Sequence, residues 1–248
     1  MLTFWVVERE ERRIAQGRIA RPTVTVSYAQ TLDGRLATLD GSSQWISAPD
    51  SLCFAHELRA GHDAVMVGAG TIARDDPRLT VRLAPGENPL RVVVDSSLRT
   101  PTDAAVMARG AARGTVLAVN GRAPEDRCLK AESLGATVLR LPPEPGGGVD
   151  LPALVRALRD LGVGSVMVEG GAALITALLR GGLVDRLAVC VAPKILGAGI
   201  EAVGDLGIRD LADSLSLADA VFTPRGGDLL LTARVEYPAD RDAVSRAG

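Results

Sequence analysis

The chain has 248 residues, a length within reach of one α/β domain, and at that size about three quarters of the unfolded surface is buried without disulfide staples. Apolar residues make up 47%, charged ones 23% and aromatics only 3%, so Val, Leu, Ala and Ile must build the core of a soluble globular protein. The net charge of −2 removes the electrostatic case for nucleic acid or an anionic membrane, and any phosphate must be held locally by a few arginines and backbone N–H groups.

Residues 1–20 read as a charged, partly helical lead-in, and residues 239–248 as a tail. The apolar start runs at once into ERE and ERR at residues 8–13, so no secretory leader is expected. No apolar run reaches the roughly 18 residues a membrane span needs, which makes the cytoplasm the expected location. Residues 21–238 are read as one domain without repeats or linker. Within it, residues 23–29 alternate as a strand, and Leu32-Asp33-Gly34 forms a turn. Ser47 caps a helix that tolerates Pro49 in its first turn and ends at Gly61. Strands follow at residues 63–67, 90–95, 115–119 and 137–141, with a short helix after Gly70 and another starting near Pro124. Residues 142–148 are a Pro- and Gly-rich loop before an amphipathic helix at 151–161. A strand at 165–168, a helix at 172–179 and a strand at 187–191 come next. Residues 218–222 and 228–237 close the chain as an antiparallel pair around Gly226-Gly227. This alternation predicts an α/β fold with a mostly parallel mixed sheet flanked by helices and an antiparallel C-terminal edge.

Two glycine turns lead strands into helices, at residues 68–73 (GAGTIA) and 169–173 (EGGAA). A helix N-terminus offers N–H groups and partial positive charge, so each turn is either a phosphate cradle or a tight connection. The first also matches GxGxxA, with Asp95 ending the next strand in the outline of a dinucleotide fingerprint, but its helix is cut short by Asp75-Asp76-Pro77. Residues 75–82 (DDPRLTVR) crowd acids and arginines into one loop, which suits either a phosphate monoester or plain solvation. Arg59 closes the helix after Ser47, where a cation is stabilising even without a ligand. Trp45, in the polar stretch SSQWIS, serves to stack on a flat ring or to anchor the loop on the core. Cys53, Cys128 and Cys190 are odd in number, far apart and without CxxC spacing. His56 and His62 are the only histidines, so neither a disulfide framework nor a metal site is expected.

The segments YAQTLDGRLA (28–37), SSQWIS (42–47), LRAGHDAVMVGAGTIARDDPRLTVR (58–82), RVVVDSSLR (91–99), VMVEGGAALITALL (166–179) and LVDRLAVCVAPKILG (183–197) together resemble the reductase domain of riboflavin biosynthesis. That family has a dihydrofolate reductase-like fold. The resemblance implies NADPH-dependent reduction of the ribosylamino side chain of a 5′-phosphorylated aminopyrimidine to ribitylamino. It places Ala29, Trp45, Thr71, Asp75, Ser96, Gly170, Gly171, Ala172, Ala173 and Leu174 at the cofactor. It places Ser43, Arg59, Leu79, Arg82 and Glu169 at the substrate, with Glu169 or water supplying the proton. Ser27 stands where many bacterial members carry lysine, which leaves open whether the diaminopyrimidinone or the aminouracil is reduced. No HxE…PCxxC deaminase motif is present, so deamination is not expected. Asp33 is read as structural in its turn, and Arg99 as a partner for a cofactor 2′-phosphate. The resemblance further implies a homodimer, to which residues 183–191 contribute. Two other functions compete: a dihydrofolate- or pterin-type reductase on the same fold, and a non-catalytic nucleotide-binding protein.

Overall fold

The computed structural model describes residues 21–44, 46–108 and 110–238; the lead-in, the tail and Trp45 lie outside them. The chain sorts into two compact units, with the division falling inside one helix, α1 (Pro49–Gly61), and one strand, β7 (Ser165–Glu169). Of the described residues, the first unit holds 21–23 and 56–167, and the second holds 24–55 and those from Val168 onward.

In the first unit, β3 (Ala64–Gly68), β4 (Leu90–Val94), β5 (Thr115–Val119) and β6 (Thr137–Arg140) pair in parallel. Val65 lies opposite Arg91, Val92 opposite Val116, and Val116 opposite Thr137. Val65, Val67, Val93, Leu117 and Val119 share a face and form a core with Ile72 of α2 (Ala69–Asp75) and with Cys128 and Ala131 of α3 (Glu125–Ser133). Residues of the opposite face, Met66, Val92, Val116 and Ala118, are no more than 1% exposed. Burial on both faces explains why these strands read as unbroken apolar runs rather than as alternation. Helix α4 (Leu151–Asp160) starts where the Asp150 carboxylate accepts from Ala153 N at 2.8 Å, with Pro152 in its first turn. It buries Leu154, Val155 and Leu158, each contributing about 1.5–3 kcal/mol. Strand β6 is partly exposed, and its Arg140 bonds to Glu132 (2.7 Å) and Glu125 (3.0 Å), so the strand is tied by charge to α3.

In the second unit, β1 (Thr23–Thr31) runs parallel to β8 (Arg186–Ala192). Strand β11 (Asp228–Glu236) is antiparallel to β8, and β10 (Ser216–Arg225) is antiparallel to β11. The expected C-terminal pair is therefore present, with β10 longer than the expected 218–222 and β11 ending one residue before the expected 237. A bulge between Ala218 and Val221 interrupts its register, with Asp219 at φ 53°. A small ladder of β2 (Arg35–Ala37) and β9 (Ile200–Glu201) was not expected. Strands this short leave no periodicity to read, and their partners lie far apart in sequence; an Arg35–Glu201 ion pair of 2.8 Å clips them together.

Helix α1 begins at Pro49, which leaves Ser47 outside the cap position it was expected to fill. The Asp228 carboxylate holds this helix start instead, accepting from Ala48 N (2.7 Å), Ser51 Oγ (2.6 Å) and Cys190 Sγ (3.3 Å). An acid here meets both the first N–H groups and the positive helix end. Helix α5 (Ala172–Arg180) follows β7 and buries Leu174, Ile175, Leu178 and Leu179. Residues 183–191, expected to contribute to a dimer, leave little surface free: Leu183, Val184 and Val189 are no more than 4% exposed.

Candidate functional site

In the first unit the loop after α2 is shaped before it is charged. Helix α2 ends after seven residues at Asp76, which adopts a left-handed conformation (φ 38°), and Pro77 forbids a further turn. The Asp76 carboxylate accepts from Ala105 N at 2.7 Å. Leu79 is also left-handed (φ 52°) and only 2% exposed, so its side chain serves as a core anchor for the loop.

This anchoring brings the two candidate phosphate arginines onto one residue. Arg59 Nη1 donates to Thr80 O (3.0 Å). Arg82 Nη1 donates to the same carbonyl (3.3 Å) and to Thr80 Oγ1 (2.8 Å). Arg82 N also donates to His56 Nδ1 at 2.9 Å. With Nδ1 accepting, a neutral ring carries its proton on Nε2, so the 3.4 Å approach of Arg59 Nη1 to Nε2 is a contact between donors rather than a hydrogen bond. Burial, with Arg59 and Arg82 adding to it, pushes the His56 pKa down to about 4, which keeps the ring neutral and accepting. His56 was not singled out as a site candidate from sequence. Its only sequence signal is the i, i+3 spacing to Arg59 on α1.

Thr71 and Asp75 sit one turn apart on α2, on one helix face. Ser96 follows β4, and its carbonyl accepts from Asn120 N at 3.1 Å. The neighbouring Asp95 is not the ligand-facing acid of a dinucleotide fingerprint. It is 1% exposed, and one carboxylate oxygen accepts from Thr100 N (2.7 Å) and Thr100 Oγ1 (2.8 Å). Arg99 Nε stands 3.6 Å from the other oxygen, an ion pair too long for a hydrogen bond.

In the second unit, Glu169 ends β7 and the chain passes through Gly170 (φ 76°) and Gly171 (φ 86°) into α5. Both residues occupy the region that L side chains avoid. Ile175 N donates to Gly171 O at 3.0 Å, so the N–H groups of Ala172, Ala173 and Leu174 precede that intrahelical bond. Those are among the residues that the family resemblance implies for the cofactor. Leu174 is 8% exposed, so only its backbone is available at this helix start. Ser27 and Ala29 lie on β1 opposite Ala188 and Cys190, with Ser27 buried. Ser43 lies in the loop before α1, where its carbonyl accepts from Ile46 N (3.1 Å), and Lys194 Nζ donates to Ile46 O (2.9 Å).

Asp33 is structural, as its turn suggested. Its carboxylate accepts from Thr31 Oγ1 (2.6 Å), Gly197 N (2.6 Å) and Leu196 N (3.1 Å), and these bonds hold its pKa down to about 2. Cys128 and Cys190 are buried thiols whose pKa burial raises. Among the described residues no three His, Cys, Asp or Glu side chains gather to hold a metal ion, and no helix is long and apolar enough to cross a membrane.

Residues 22–231 match the RibD C-terminal domain family. The chain is 42% identical over 227 residues to the 2,5-diamino-6-ribosylamino-4(3H)-pyrimidinone 5′-phosphate reductase of Methanothermobacter thermautotrophicus, covering 88% of this chain and 98% of that protein. It is 39% identical over 212 residues to the riboflavin biosynthesis protein RibD of Aquifex aeolicus, covering 85% of this chain but only 57% of that one. Among solved structures, RibD of Acinetobacter baumannii superposes with a TM-score of 0.77 at 24% identity, over 93% of this chain and 64% of that one. That likeness gives the fold as the dihydrofolate reductase-like one.

Proposed function

From the premise that the chain belongs to the RibD C-terminal domain family, we propose that it reduces the ribosylamino side chain of a 5′-phosphorylated aminopyrimidine in riboflavin biosynthesis, using NADPH. The substrate we favour is 2,5-diamino-6-ribosylamino-4(3H)-pyrimidinone 5′-phosphate, because the relative named for it is matched over almost its whole length. The observation that carries the reading is the convergence of Arg59 and Arg82 on Thr80, backed by neutral His56. Two guanidinium groups held by one short loop are preorganised for a phosphate monoester.

The turn after β7 fits a pyrophosphate. Its glycines are left-handed, a Cβ at Gly170 would meet only open space, and the first N–H groups of α5 follow directly. When bound, the cofactor supplies a hydride from C4 of its nicotinamide. The residues we propose for it are Thr71, Asp75 and Ser96 in the first unit and Ala29 and residues 170–174 in the second. Trp45, proposed for the same role, lies outside the described residues. Arg99 is largely exposed and suits a 2′-phosphate, while Asp95, whose charge would oppose one, is turned inward to Thr100. The reacting carbon is C1′ of the ring-opened sugar imine, and its nitrogen gains a proton as the ribitylamine forms. Glu169 and water are the two candidate donors. Arg59 and Arg82 are the residues we propose for the phosphate, with Leu79 contributing its backbone because its side chain is buried; Ser43 is a further proposed substrate residue, and Ser27 takes the place of a ring-facing lysine. Protein side chains thus supply alignment and electrostatics rather than covalent chemistry. We further propose a cytoplasmic homodimer. Leu217, Val221 and Phe222 of β10, which are 40–60% exposed, offer it a better surface than residues 183–191.

The test is NADPH oxidation with the phosphorylated diaminopyrimidine, its deaminated form and dihydrofolate. Turnover should be fastest on one of the phosphorylated pyrimidines, and Arg82→Ala should raise its KM at least about tenfold. Unaltered kinetics in Arg82→Ala sink the phosphate assignment. Faster turnover of dihydrofolate means a pterin-type reductase, and NADPH binding without turnover on any substrate means a non-catalytic protein.

A further inference from the structure

A second cationic surface lies toward the strand starts of the first unit, beside Thr80 and away from the Gly68 turn. Gly68, at the C-terminal end of β3, pairs with Val94, whereas Arg91 pairs with Val65 and Thr115 near the strand starts. Three residues of strand separate these levels, about 10 Å. An open cavity of about 640 Å3 occurs here, lined by Arg78, Thr80, Arg91, Asp103, Gly110 and Ala111 among others.

Arg91 is the unusual member. It is only 9% exposed, its Nε donates to Thr115 Oγ1 (3.1 Å) and its Nη2 to Ala111 O (2.5 Å). Among the described residues no carboxylate pairs with it. Gly114 leaves room for it: a Cβ there would overlap Arg91 Nη2. Burial lowers the pKa of Arg91, yet a guanidinium remains charged at neutral pH. A buried cation bonded only to neutral oxygens is poorly compensated, and an arriving anion would correct that.

Two neighbours strengthen the case. Arg78 is exposed and has no hydrogen bond or ion pair among the described residues. The Thr80 hydroxyl accepts from Arg82, while its own O–H has no acceptor among the described residues. Asp103 opposes them with one negative charge, leaving Arg78, Arg91 and Asp103 a formal +1 together.

We propose that this cavity is a second anion site, taking a phosphate group between Arg78, Arg91 and the Thr80 hydroxyl. Thr80 joins it to the candidate substrate site, because the oxygens that receive Arg59 and Arg82 belong to the residue whose O–H faces the new ligand. An occupied cavity therefore reinforces the loop that holds both arginines. The site goes beyond the proposed reductase activity and does not depend on it.

Calorimetric titration of the full chain at fixed ionic strength tests this, with inorganic phosphate in one arm and ribose 5-phosphate in the other. Wild type should display two classes of site. An Arg59→Ala/Arg82→Ala variant should keep one. In that background Arg78→Ala should weaken binding about 5- to 10-fold, and Arg91→Lys, which keeps the charge but loses the fork, should weaken it similarly. Asp103→Asn should tighten it about 3-fold by removing the opposing charge, an effect that loss of fold could not imitate. Tighter binding of the ester identifies a phosphorylated metabolite, equal binding identifies free phosphate, and both uphold the site. Absence of the second class in wild type, or isotherms indifferent to both Arg78→Ala and Asp103→Asn, overturns it. Reductase turnover of Arg78→Ala, measured alongside, reports on the proposed activity separately.

Discussion

The turn after β3 and the turn after β7 both carry a strand into a helix through glycine, yet their backbones differ. Gly68 has φ −82° and ψ 157°, which any residue adopts, and Gly70 is not left-handed. Gly170 and Gly171 sit at φ 76° and 86°. The helix after the first turn lasts seven residues and hands the chain to the arginine loop. The helix after the second lasts nine, is anchored by four buried apolar side chains, and begins with N–H groups ahead of its first internal bond. Similar glycine patterns therefore serve different ends: the first delivers Arg82 to His56 and Thr80, and the second opens a helix terminus.

The largest effect expected from this contrast comes from Gly170→Ala. A left-handed backbone costs an L residue about 1–2 kcal/mol, so the thermal midpoint should fall. If the turn also cradles the cofactor, its relaxation should raise the KM for NADPH at least about tenfold. A lowered melting point with cofactor KM unchanged would reduce this turn to a connection and erase the contrast.

A smaller effect is expected on the arginine side. His56→Ala removes the acceptor for Arg82 N and should raise the KM for phosphorylated substrate about 3- to 10-fold with little change in kcat. The same residue sets a pH dependence. Its folded pKa is depressed to about 4 from an ordinary value of 6.5. Below 6.5 the unfolded chain binds a proton that the folded chain refuses, so the contribution is complete above about 6.5 and is lost as pH falls toward about 4. Urea melts across that window should follow this course in wild type and flatten in His56→Ala. An equal slope in both would show that His56 is not the group responsible.

Much of the architecture was legible because it rests on local pattern. The unbroken apolar runs of β3, β4 and β5 mark strands covered on both faces, and α4 carries its own start signal in Asp150. What escaped depends on partners distant in sequence. Asp228 holds the start of α1 from 180 residues away, and β2 meets β9 only after the chain has passed through most of the molecule. The same limit applies to the candidate site. Arg59 and Arg82 were readable as phosphate-competent, but the buried histidine joining them acts on a residue 26 positions further on. Asp95 looked like a ligand-facing acid because only its side-chain direction, toward Thr100, reveals otherwise.

The smallest predicted effect is also the most direct check on the first turn. Gly70 lies within α2, and an added Cβ there would meet nothing within 4 Å. Alanine loses less backbone entropy than glycine on entering a helix, so Gly70→Ala should leave stability unchanged or raise it by about 0.5 kcal/mol. It should also leave cofactor affinity untouched, since the cofactor contacts proposed for α2 are the side chains of Thr71 and Asp75 rather than the backbone at Gly70. A rise in the KM for NADPH comparable to that of Gly170→Ala would mean that a ligand closely approaches the first turn as well. Both glycine turns would then be phosphate cradles, one built on ordinary backbone and one on left-handed backbone, and Thr71 beside Gly70 would owe its place at the cofactor to that approach.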